Sequence, residues 1–180
     1  MINELLHGIY VSNLAMIIIA IPIILVMWSI IGAIFSKYMR IICAVVAVAS
    51  VFVILYATVF SRNEATIGAE LLPLSSFERA QNQPEMYRSM LMNVFLFFPL
   101  GMSLIFVFGG RSVKRFLMTI LIGFILSTTV EAIQYFCSLG MAETDDVICN
   151  TLGAFIGSCA YPLSLFWKRI LCRKIEKTND

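Results

Sequence analysis

Five blocks of nearly continuous apolar sequence, most of them long enough to cross a lipid bilayer, leave this chain few ways to fold. They run from about 11 to 35, 41 to 60, 90 to 108, 116 to 136 and 147 to 166. A helix rises about 1.5 Å per residue, so about 20 apolar residues cross about 30 Å of hydrocarbon. Inside that hydrocarbon no water meets the backbone N–H and C=O groups, and a helix satisfies them within its own segment. The expected fold class is all-α, a polytopic transmembrane helical bundle of five spans in a single membrane domain over residues 1–180. Composition agrees: 60% of the residues are hydrophobic and 13% charged, where a soluble domain carries about 25% charged residues. No room is left for a second, soluble domain.

The first block is expected to be a retained span, bent at Pro22 if anywhere. No basic segment precedes it, it exceeds the usual 7–15 apolar residues of a signal peptide, and no small-residue cleavage pattern follows it. The five cysteines, Cys43, Cys137, Cys149, Cys159 and Cys172, show neither CxxC nor Cys/His spacing. They read as small membrane-compatible hydrophobes, with a Cys137–Cys149 approach as the minor alternative. His7, the one histidine, reads as interfacial.

Basic residues orient the spans. Lys37, Arg40, Arg111, Lys114, Arg115, Lys168, Arg169, Arg173, Lys174 and Lys177, ten of the thirteen, fall in three segments that share one side. Such residues accumulate in short cytoplasmic segments. The N-terminus is therefore expected outside and the C-terminus in the cytoplasm. Most acids fall on the outer side, and the basic tail reads as a topology signal with anionic-lipid contact. A nucleic-acid partner is not expected.

Polar residues inside three of the blocks carry the functional question. Ser127, Glu131 and Gln134 follow i, i+4, i+7 spacing and share one helix face. Asp146 and Asn150 are four apart, and Asn150, Gly153 and Gly157 continue that face with a GxxxG, a pattern that admits close helix approach. Asn93, Phe97 and Gly101 line one face of the third block. If spans three, four and five pack together, Asn93, Glu131, Asp146 and Asn150 meet near the outer surface in an acidic, amide-rich pocket. Gln134 is expected to bond Glu131 or line the same space. The bland reading is interhelical glue, worth about 0.6 kcal/mol per pair, and it stays open for each amide. Glu131 is different, because an acid inside a span marks function by default. The loop after the second block, with Arg62, Glu64, Pro73 and Pro84, is long enough to form a lid over that pocket.

The segments FSR (60–62), ELLPLSSF (70–77), NVFLFFPLG (93–101), EAIQ (131–134) and ETDDVICNTLGAFIG (143–157) resemble the VanZ-like membrane proteins over roughly residues 56–161. The resemblance implies recurrent polar positions at Arg62, Asn93, Glu131, Gln134, Glu143, Asp145, Asp146 and Asn150. It departs at Leu139, where many members carry an arginine beside the acidic stretch. It also implies a bacterial plasma-membrane protein of the cell envelope, one that lowers susceptibility to the lipoglycopeptide teicoplanin.

Two function classes follow. One is a non-enzymatic envelope factor that binds membrane lipids, a lipid-linked envelope precursor or another amphipathic molecule at the outer face. The other is a small membrane enzyme in which Glu131, Asp145 and Asp146 hold Mg²⁺ or Ca²⁺ through hard oxygen ligands, or in which one carboxylate acts as general acid or base. Neither a Ser–His nor a Cys–His pair suggests a nucleophile. Transport lacks support, since no repeat symmetry is visible.

Overall fold

The computed structural model describes residues 2–35, 37–61, 68–81 and 83–179; the side chains of residues 2–14, 84 and 174–179 are outside that description. Five of its helical stretches are long and apolar enough to cross a membrane. Helix α1 spans Ile2–Ile34 and continues through Pro22. Helix α2, Met39–Leu55, runs on into a π-helical turn at Tyr56–Phe60. Helix α4, Pro84–Val107, begins earlier than the expected third block because Pro84 is preorganised for a first helical turn. It stays helical through Pro99. The hydroxyl of Ser103 donates to the Pro99 and Leu100 carbonyls at 2.9 and 3.0 Å.

Helix α5 covers Ser112–Phe136. The fifth block divides into α6, Thr144–Ser158, and α7, Ala160–Asn179. Pro162 accounts for the break: it has no N–H to give to the Ser158 carbonyl, and its ring crowds that oxygen. The structure thus gives two helices where the sequence suggests one span, and helix α7 extends well past residue 166.

Helix α4 is the centre of the bundle and packs against α1, α2, α5 and α6, with α6 its most extensive partner. The α4–α6 seam is made of backbone. A Cβ placed on Gly153 would collide with the Val94 carbonyl oxygen. One on Gly157 would collide with the Phe98 carbonyl oxygen and lie 2.7 Å from the Met102 nitrogen. Helices gain van der Waals contact through such small residues, since lipid tails give no hydrophobic drive to associate. Phe97, Leu100, Ile54 and Val130 close the core around α4. Apolar side chains such as Ile41, Val45 and Phe52 on α2 face outward and exposed, as lipid contact requires.

One end of the bundle carries a cap. The segment between α2 and α4 contributes strand β1, Gly68–Glu70, and helix α3, Ser75–Ala80; the segment between α5 and α6 contributes strand β2, Met141–Glu143. The strands pair in parallel, Gly68 with Met141, Ala69 with Ala142 and Glu70 with Glu143. The second loop is therefore tied to the segment after α5 through the β1–β2 pairing.

Candidate functional site

Cap and span interior meet at the acidic stretch that leads into α6. Asp145, in the first turn of α6, is buried with 1% of its surface exposed. Its two oxygens accept the backbone N–H groups of Leu74 and Ser76 at 2.6 and 2.7 Å. Leu74, with φ 70°, is the residue before α3, so Asp145 caps α3 from another part of the chain. Helix starts leave such N–H groups without internal partners, and an ionised acceptor binds them about twice as strongly as a neutral one.

Glu143 sits beside this fastening. It accepts the Ser76 hydroxyl at 3.0 Å, and the Arg79 guanidinium lies 3.8 Å from the same carboxylate. Arg79 of α3 thus supplies a cation to the acidic stretch. Sequence reading passed over Ser76 and Arg79 as loop residues. The available signal was Ser75-Ser76-Phe77-Glu78, an S-x-x-E pattern that marks helix starts.

Glu131 is 7% exposed near the end of α5, and its Oε2 accepts the Glu143 backbone N–H at 3.0 Å. Ser127, one turn deeper on the same face, accepts the Asn150 side-chain amide at 2.9 Å. The expected shared face of Ser127, Glu131 and Gln134 is present, with all three buried. A groove of about 410 Å³ is bordered by the Glu131 and Glu143 side chains and walled by Leu71, Ala132, Tyr135 and Val147, while neither Asn93 nor Asn150 lines it. Gln134 turns away from the expected arrangement: its amide donates to the Thr58 carbonyl in the π-helical turn at 2.9 Å. Helix ends need such outside donors, because their last carbonyls lack partners further along.

The Asn93 Nδ2, Asn150 Oδ1 and Gln134 Oε1 atoms are buried without a hydrogen-bond partner. Each such atom left unpaired costs about 1–3 kcal/mol. Asp146, half-buried in the first turn of α6, engages a further partner, as does Glu131. Negative charge there suits the positive end of the helix. Arg62 and Glu64 lie outside the described residues. Among the described residues, no group of three potential metal-ligating side chains comes together. Cys137 and Cys149 are both free thiols, one exposed and the other buried.

A helical membrane protein with a tied-down cap and an acidic groove at one end is thus the class the fold defines. The chain belongs to the VanZ/LLP1 family, whose model matches residues 35–167. The match takes in α2 to the first part of α7 and leaves α1 outside. The chain is similar to Protein VanZ of Enterococcus faecium, 37% identical over 78 residues, which is 43% of this chain and 47% of that protein. The aligned segment thus spans about half the length of this relative. No solved structure matches the chain.

Proposed function

We propose that the chain works in a bacterial plasma membrane with its capped end outward. There it binds a lipid-linked or amphipathic envelope molecule in the groove between cap and α5. By doing so it lowers susceptibility to teicoplanin-type lipoglycopeptides. The observation that carries this reading is the groove itself: apolar walls of Leu71, Ala132, Tyr135 and Val147, with the acidic residues Glu131 and Glu143 among its lining. Apolar walls with a few placed polar groups are what small-molecule sites share. An amphipathic ligand would lay its apolar part on those walls and offer a cation or hydrogen-bond donors to the acids.

The enzyme reading uses the same acids as general acid and base or as oxygen ligands for Mg²⁺ or Ca²⁺. It is weakened at Asp145, whose oxygens are engaged by two backbone N–H groups. An outer-surface activity abolished by chelation and restored by Mg²⁺ would favour it.

The test is Glu131→Gln in a strain lacking the native gene. The glutamine keeps an oxygen to accept the Glu143 N–H, and it removes an intramembrane charge that costs about 2.5–3.5 kcal/mol at the bilayer centre. Membrane accumulation should match or exceed that of the unmodified chain, while teicoplanin susceptibility returns to the level of the deletion strain. Unchanged resistance at normal accumulation would leave Glu131 as a fastener of β2 alone.

A further inference from the structure

The opposite end of the bundle contains a second cavity that the proposed function does not use. About 470 Å³ in volume, it lies where the ends of α1 and α4 meet the starts of α2, α5 and α7, and Lys37, Arg40, Arg115 and Lys168 all line it. Among the described residues, no carboxylate lies in ion-pair reach of these four cations, whereas Arg79 and Glu143 pair at the other end. Charge counting along the loops accounts for cations on this side. It does not account for four of them, from three separate parts of the chain, bordering one cavity.

The cavity is also partly built. Arg115 donates through Nε to the Gly110 carbonyl at 2.9 Å, and its guanidinium lies 4.6 Å from the centre of the Tyr161 ring. These two contacts fix the plane of the guanidinium and leave its terminal N–H groups for another acceptor. Tyr161 is itself set edge-on against Phe106, 5.7 Å between ring centres. The result is an apolar floor beneath a positive rim.

We propose that this cavity binds a phosphate-bearing anion at the level of the lipid headgroups. The guanidinium fork suits the paired oxygens of a phosphate, and lysine adds charge with less geometric demand. Basic pockets between helices at the membrane surface are suited to anionic headgroups, and about 470 Å³ falls within the roughly 300–1,000 Å³ of small-molecule sites. The proposal is independent of what the acidic groove binds.

The purified full chain in detergent provides the test, with lipid binding read by native mass spectrometry and soluble binding by calorimetry. Phosphatidylglycerol should bind at least tenfold more tightly than phosphatidylcholine. The double substitution Arg40→Gln with Arg115→Gln should abolish that preference. Lys114→Gln with Arg169→Gln removes the same charge at positions outside the lining and should change affinity by less than twofold. Lys37→Gln with Lys168→Gln, at exposed positions, should weaken binding at least threefold and stands in if the arginine pair impairs folding. Saturable binding of glycerol 3-phosphate, lost in the lining variants, would identify a soluble phosphate compound; phosphatidylglycerol binding without it would identify the lipid headgroup. Equal losses in lining and control variants, or binding of neither probe, would overturn the proposal.

Discussion

Asp145 at the capped end and Arg115 at the opposite end show two ways of keeping a charge in a membrane protein. Asp145 is sealed off, and both oxygens are committed to backbone N–H groups of α3. Arg115 is half-buried, held by one carbonyl and one ring, with no carboxylate in ion-pair reach among the described residues. Truncating a sealed charge strands the buried groups it served, whereas a guanidinium at a cavity rim keeps donors for something else. The charges at the two ends therefore have different tasks. At the capped end Asp145 holds the fold together while Glu131 and Glu143 border a groove. At the basic end the lining charges remain available.

The comparison presupposes that the ends face different compartments, and this can be broken outright. In a background without native cysteines, Gln81→Cys near the cap should react with a membrane-impermeant maleimide on intact cells. Arg169→Cys should react only after permeabilisation. The expected contrast is all or none, and the reverse pattern would invert the orientation drawn from the basic residues.

The seam between the two ends comes next in size. Gly157→Leu puts a side chain where the Phe98 and Met102 backbone already sits, so α4 and α6 must separate. Folded protein recovered from membranes should fall more than tenfold. Normal recovery would mean that the two helices can part without loss, and the cap could then not be held in register by them.

Asp145→Ala has a smaller, local effect. Two hydrogen bonds to a carboxylate contribute about 1.5–3 kcal/mol each, so opening of the cap becomes easier by about 3–6 kcal/mol. Trypsin cleavage at Arg79 or Arg88 should then quicken at least a hundredfold while the spans persist, since such cleavage follows the population of the opened form. Cleavage at the unmodified rate would remove Asp145 from its fastening role.

Much of the bundle was legible because span length and periodicity are local properties. The apolar blocks gave the five spans, and Asn150, Gly153 and Gly157 gave the tight face of α6. The i, i+4, i+7 spacing placed Ser127, Glu131 and Gln134 on one buried face. Pro162 carried the signal for the α6–α7 break, although the continuous hydropathy around it concealed it. Partner choice was harder to read. Spacing made Glu131 the natural partner of Gln134, yet the Thr58 carbonyl takes the Gln134 amide, because a helix end 76 residues away in sequence needs a donor. Likewise the groove at Glu131 and Glu143 is lined by neither Asn93 nor Asn150, since depth cannot be read across helices whose vertical offset is unknown.

What the sequence determined by itself is that this chain folds as a bundle of five apolar helical spans, because hydrocarbon leaves the backbone no other partners over such lengths. Tertiary structure alone decided which charges are sealed and which stay available. Asp145 meets α3 across 69 residues of chain, the parallel pairing of β1 with β2 brings Glu143 beside Arg79, and four cations border one cavity at the far end. Each of these depends on how far one helix is shifted against another, a shift that backbone contact along the glycine seam fixes for α4 and α6.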